Sequence, residues 1–331
     1  MNSMRLPKVT YHEPKNVTEV LQIKGEPNEE SAVLAGGTDL IPMLKRRNTS
    51  VRHLLNIKKV PEFRSISGEK GGFYIGPAVT LREILDHPGI RQSYPLLIAA
   101  AESVGFNQLR NMATLVGNIC LDSKCTFFNQ SAFWWKTRPD CFKRGGKICY
   151  VVKGAKRCYA LSAADTVSAL IAVEAEVIIQ KLKEERRIPL EALYTGDSVK
   201  PHALEKEEVV TGVILPPPSK GWLGGFLKES FRGSVDFPIA SLSVRLKMHD
   251  DKLEDIRIVL NAVSTAPVRA RKAEASLKRR HINEGTINEA LELILQEASP
   301  ISLIGATASY RRAVIGAMFV ELMNSEIGRE V

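Results

Sequence analysis

Four of the chain's five cysteines fall in one basic, aromatic segment, CTFFNQSAFWWKTRPDCFKRGGKICYVVKGAKRC, from Cys125 to Cys158. The fifth, Cys120, stands just upstream. If the thiols share a purpose, the fold must gather residues 16, 8 and 9 positions apart. The opening MNSMRLPKVTYHEPKNV has no apolar leader, which predicts a cytoplasmic protein. Reducing conditions there argue against a disulfide framework and for a metal site. The most apolar stretch, Tyr159 to Ile179, is interrupted by Asp165, Glu174 and Glu176, so no membrane span is predicted.

The 331 residues are enough for two or three domains. The predicted class is α+β. Residues 1–61 read as strand, helix, strand, glycine turn and helix. In residues 62–217, GFYIGPAVTLREILDHPGI reads as a strand, a turn at Pro77 and a helix, with a capping box at Thr80 and Glu83. PLLIAAAESVG reads as helix. ILPPPSKGWLGG marks a boundary near residue 217. Residues 218–331 begin with antiparallel strands turning at HDDK and end in three helical stretches. The net charge of +9 suits an acidic partner or simply a solvated surface. With no nucleic-acid motif in view, no nucleic-acid partner is predicted. None of the six histidines sits in a catalytic pattern.

Two glycine-bearing stretches carry the binding signal. AGGTDL, Ala35 to Leu40, joins a strand to a helix start, where glycines allow close backbone approach and N–H groups can hold phosphate. It is neither G-x-G-x-x-G nor a P-loop. QLRNMATLVGNI, Gln108 to Ile119, sets Arg110, Asn111, Thr114, Gly117 and Asn118 between apolar residues. These groups suit pyrophosphate and ribityl hydroxyls.

AGGTDL followed by RNMATLVGNI resembles the flavin subunit of the molybdenum hydroxylase (xanthine dehydrogenase) family. Val116 replaces the first glycine of that family's Gly-Gly pair. GPAVTL, the pair Asp165 and Thr166, FLKESFRGSVDFPIASLSV, APVRARKAEASL and ASYRRAVIGAMF also match, so the resemblance covers nearly the whole chain. It implies FAD bound across two subdomains (1–61 and 62–217), with a C-terminal domain (218–331) closing over the ring. The cofactor residues so implied are Val33, Leu34, Ala35, Gly36, Gly37, Thr38, Asp39 and Leu40, then Thr114, Leu115, Val116, Gly117 and Asn118. Val104 takes an apolar contact, and Asp165 and Lys228 polar ones. In such a subunit the cofactor performs the redox chemistry, so no acid–base triad is expected.

The cysteine segment, spanning residues 120–160, interrupts that family pattern between the GNI motif and Asp165. It resembles the insertion in the beta subunit of 4-hydroxybenzoyl-CoA reductase. That resemblance implies a [4Fe-4S] cluster on Cys125, Cys141, Cys149 and Cys158. Four thiolates are the usual complement of a cubane. Zinc sites favour shorter Cys pairs. Zinc, unligated thiols, and Cys120 in place of Cys125 remain alternatives. Cys120 reads as a packed thiol. Phe127, Phe128, Phe133, Trp134, Trp135, Phe142 and Tyr150 are expected to shield the cluster. Lys136, Lys143, Arg144, Lys147, Lys153, Lys156 and Arg157 are expected to offset its charge and to dock a ferredoxin- or flavodoxin-like donor.

The implied partners are a molybdopterin subunit and a small [2Fe-2S] subunit, as a dimer of heterotrimers. The implied function is electron relay for reductive dehydroxylation of an aromatic acyl-CoA. An oxidative hydroxylase subunit and a flavin-binding protein with a structural cysteine loop are the other readings. The substrate would lie on another chain.

Overall fold

The computed structural model describes residues 5–26, 30–233 and 236–327. Ser234 and Val235 of the FLKESFRGSVDFPIASLSV match, and Met1 to Met4 of the opening segment, lie outside them. The architecture is α+β, with three sheets in chain order.

The first sheet holds β1 (Thr10–His12), β2 (Ser31–Leu34) and β3 (His53–Asn56), all parallel, in the order β1-β3-β2. Parallel neighbours need crossovers, and helices Val17–Lys24 and Leu40–Arg46 supply them. Asn16 starts the first of these, its side chain accepting the Glu19 N–H at 2.9 Å. Val20, Leu55, Ile57 and Phe63 bury the apolar face. β3 did not show in the sequence, because HLLN is too short to display an alternation.

The second sheet is antiparallel, order β4-β5-β8-β6-β7. Its strands are β4 (Ile66–Glu69), β5 (Gly72–Ile75), β6 (Glu176–Lys181), β7 (Glu184–Pro189) and β8 (Val209–Leu215). Every residue of β8 is buried, as its continuous VVTGVIL suits a central strand. β7 is charged and mostly exposed, which hid it from the apolar pattern. The helix Leu81–Asp86 begins with the expected capping box, the Thr80 hydroxyl accepting the Glu83 N–H at 3.1 Å.

The third sheet runs β12-β11-β10-β9, antiparallel. It comprises β9 (Trp222–Glu229), β10 (Ala240–His249), β11 (Lys252–Asn261) and β12 (Val268–Arg269). Helices Arg271–Leu277 and Ala308–Ile327 pack on this sheet, with Glu284–Ala298 beside them. Helices Pro95–Glu102 and Val167–Ala172 also pack against it. The sheet is thereby joined to the middle of the chain, through Ser243 Oγ to Ser168 Oγ at 2.9 Å and Asn261 Nδ2 to Ala164 O at 2.7 Å. WLGG, which reads as a boundary, is the start of β9. A Cβ on Gly224 would stand 2.6 Å from the Val244 carbonyl oxygen, so this glycine serves close strand pairing.

Candidate functional site

The two glycine motifs meet in space. A Cβ on Gly36 would lie 2.2 Å from the Met112 carbonyl oxygen and 2.9 Å from the Ala113 Cα, so only glycine lets the loops abut. Gly37 has φ of +71° and turns the chain into helix Leu40–Arg46. The second motif is held by its neighbours. Leu81 N–H donates to Ala113 O at 2.8 Å, and Leu115 N–H to Val79 O at 3.2 Å. Asn118 Oδ1 accepts the Thr166 hydroxyl at 2.7 Å. The scattered pieces GPAVTL, RNMATLVGNI and Asp165-Thr166 thus interlock.

Between them opens a cleft of about 570 Å³, within the usual range for cofactor sites. Its wall includes the whole run from Val33 to Leu40, with Val104, Thr114, Gly117, Asn118 and Asp165. Among the expected residues Lys228 does not reach the wall, and neither do Leu115 and Val116. The side chains of the latter two are buried in the apolar core, so Val116 is accommodated where the family pattern has glycine. Lys228 stands behind Asp165, Nζ to Oδ2 at 2.9 Å, and also donates to Ser103 O at 3.0 Å. Arg110 does not line the cleft. Its guanidinium donates to the carbonyls of Glu102, Val104 and Gly105, which end the helix Pro95–Glu102. Among the wall residues that the sequence reading did not name are Asp122 and, from the loop after β9, Arg232, Asp236 and Phe237. Arg232 and Asp236 pair at 3.0 Å. Nothing but the fold brings that loop here.

The cleft's polar chemistry fits a flavin dinucleotide. Asp165 is 5% exposed and its Oδ1 has no partner among the described residues, leaving an acceptor at the wall for a donor group. Burial raises its carboxyl to about 6, against the opposing pull of Lys228. Cys120 also lines the cleft, and burial pushes its thiol up to about 12, as suits a packed, unreactive cysteine.

The cysteine segment folds as a lobe pinned at its base. Lys124 and Leu161 exchange two backbone hydrogen bonds, of 2.7 and 2.9 Å, bringing Cys125 toward Cys158. A turn pairs Cys141 with Ile148, bringing Cys141 toward Cys149. All four cysteines line one small cavity, together with Phe127, Phe128, Phe142 and Tyr150. Burial pushes the thiols of Cys125 and Cys158 up. The Phe127 and Tyr150 rings stack at 5.6 Å. Trp135 is buried, whereas Phe133 is 76% exposed and shields nothing. Among the described residues no group of three or more His, Cys, Asp or Glu side chains is placed to hold a metal ion. No helix among them is long and apolar enough to cross a membrane.

The cleft is large enough for a dinucleotide and lies where the two glycine motifs meet. The family described as FAD binding domain in molybdopterin dehydrogenase matches residues 7–218, and CO dehydrogenase flavoprotein C-terminal domain matches 226–325. The chain belongs to this family, the flavin subunits of molybdenum hydroxylase-type oxidoreductases. It is 24% identical to the carbon monoxide dehydrogenase medium chain of Hydrogenophaga pseudoflava, over 98% of both chains. It is 23% identical to the xanthine dehydrogenase FAD-binding subunit of Escherichia coli O157:H7, over 96% of both. The solved carbon monoxide dehydrogenase from Hydrogenophaga pseudoflava superposes with a TM-score of 0.81, covering 98% of this chain and 99% of that one, at 24% identity.

Proposed function

We propose that this chain is the FAD and iron–sulfur subunit of a molybdenum hydroxylase-type complex, resembling the beta subunit of 4-hydroxybenzoyl-CoA reductase. The observation that carries the reading is the convergence of Cys125, Cys141, Cys149 and Cys158 on one cavity. An all-cysteine donor set excludes hard cations and suits an iron–sulfur cluster. The cluster, when bound, supplies one-electron transfer, and FAD supplies both one- and two-electron chemistry. The chain's own residues position and insulate. The Val33–Leu40 run with Thr114, Gly117 and Asn118 would line the dinucleotide, Asp165 would offer it a free carboxylate oxygen with Lys228 holding that carboxylate from behind, and Val104 would give an apolar wall. Residues 1–61 and 62–217 would form the two flavin subdomains, with the cluster loop at 120–160, and 218–331 the closing domain.

The relatives carry names of subunits and medium chains, which supports a molybdopterin-bearing large subunit and a small [2Fe-2S] subunit as partners, as a dimer of heterotrimers in the cytoplasm. The insertion points to a ferredoxin- or flavodoxin-like donor and to reductive dehydroxylation of an aromatic acyl-CoA. A second reading has equal standing from the relatives: the flavin subunit of an oxidative xanthine- or aldehyde-type dehydrogenase, passing electrons outward. In a third, the cysteine loop is a structural metal site.

The test is metal and flavin analysis of the anaerobically purified complex, with EPR after dithionite reduction. Roughly four irons beyond the [2Fe-2S] complement, and a signal lost in Cys141→Ser, are expected of a cubane. Flavin without the extra iron leaves the oxidative-type subunit, its loop carrying no cluster. Turnover with a reduced low-potential donor against turnover with an oxidised acceptor separates the two directions.

A further inference from the structure

One ion pair stands in the wall between the cleft and the cysteine cavity. Asp122 lines the cleft and Lys143 lines the cavity, with Nζ 2.7 Å from Oδ1. The Lys143 side chain is 4% exposed, a rare place for lysine. An ammonium has three donors, and all three are used here: Asp122 Oδ1, Ser123 Oγ at 2.7 Å and Ser198 O at 2.6 Å. The cation lies 5.2 Å from the Phe128 ring, itself part of the cysteine cavity. Ser198 is fully buried and donates its hydroxyl to Ala160 O at 2.7 Å. The charge is therefore held by residues at the start of the lobe and by Ser198 beyond it, and cannot swing into solvent.

Stapling the lobe does not by itself account for this arrangement. Withdrawing the lysine charge from water, with Asp122 still 29% exposed, costs about as much as the pairing returns, and an apolar residue of the same volume often serves stability as well or better. What an apolar pair cannot supply is an oriented field across the wall.

We propose that Lys143 and Asp122 act as a pair that sets the reduction potentials on the two sides of the wall. This rests on the reading that the cysteines hold an iron–sulfur cluster and the cleft a flavin. An electron added beside Lys143 is stabilised by the fixed cation, and one added beside Asp122 is opposed by the carboxylate. The pair holds the cysteine-side potential up and the flavin-side potential down. Both residues are positioning residues, since neither exchanges electrons.

Potentiometric titration of the anaerobic complex, read by EPR for the cluster and by visible absorbance for the flavin, tests this. Lys143→Met keeps the aliphatic stem and removes the charge. At a fixed poise its reduced-to-oxidised cluster ratio is expected to fall about tenfold, the size for one unit charge lost nearby in a partly screened interior. Asp122→Asn is expected to raise the flavin ratio by a similar factor, and Lys143→Arg to restore the cluster ratio. Unmoved potentials in variants that retain iron and flavin overturn the proposal while leaving the proposed function intact. Wild-type complex without the extra iron overturns both. If Lys143→Met purifies without iron, Asp122→Asn still decides, because it keeps the lysine in place, and an unmoved flavin potential there overturns the proposal.

Discussion

Gly36 and Gly37 are neighbours with different reasons to be glycine. At Gly36 the constraint is space, since a Cβ would collide with the Met112–Ala113 backbone. At Gly37 it is conformation, with φ of +71°. Gly36→Ala is expected to push the two motif loops apart, lowering the flavin-to-protein ratio of the purified chain at least tenfold and lowering its melting temperature. Asp165 carries a pH dependence. Its carboxyl rises from an ordinary 3.8 to about 6 through burial, so between those values the folded chain keeps a proton that the unfolded chain has released. Stability from this group is therefore greatest at low pH and falls as pH rises from about 4 to about 6. Melting curves of the flavin-free chain across that range should show this slope, and Asp165→Asn should lack it. Arg311 is fully buried, donating to the carbonyls of Ile239, Ile301 and Ala262. Its removal orphans three carbonyls where the helix Ala308–Ile327 meets the third sheet. Arg311→Met should cost about 3 kcal/mol in denaturant unfolding.

At the scale of the element, local rules worked where a residue satisfies its own neighbours. The Thr80–Glu83 capping box was readable from its spacing and is present in the helix it starts. Thr80→Ala should lose about 1 kcal/mol by the same denaturant measurement. Such rules failed where pairing, rather than an apolar alternation, makes the strand. β3, β7 and β9 exist because His53–Asn56 pairs with two other parallel strands, Glu184–Pro189 pairs with β6, and Trp222–Glu229 with β10. The cysteine lobe shows both sides. Its aromatic and basic composition was legible, yet Phe133 faces solvent while Lys143 is buried, and no local pattern distinguishes the one from the other.

Charge is a property of the whole molecule, and here it is unevenly placed. Residues 121–160 hold six lysines and three arginines against two aspartates, most of the net +9 of the chain. Lys136, Lys147, Lys153, Lys156 and Arg157 are exposed, and among the described residues none has an acidic partner. Reversing Lys147, Lys153 and Lys156 to Glu should slow reduction by an acidic protein donor at least tenfold at low salt, and the deficit should shrink as salt rises. Rates equal to wild type at every ionic strength would remove these lysines as a docking site for the donor.

Order along the chain was enough to reveal the family. AGGTDL, RNMATLVGNI and the C-terminal pieces each encode a local backbone requirement, so their residues and their succession are legible without coordinates. The cysteine spacing likewise set residues 120–160 apart as a distinct segment. Only tertiary structure decided what those pieces touch. It placed Leu115 and Val116 in the core, spent Arg110 on a helix end, brought Arg232, Asp236 and Phe237 to the cleft, and set Lys143 against Asp122 in the wall between two cavities. The physical reason is range. Caps, turns and glycine conformations are settled within a few residues, whereas burial, charge pairing and the closing of a cleft depend on segments 20 to more than 100 positions apart.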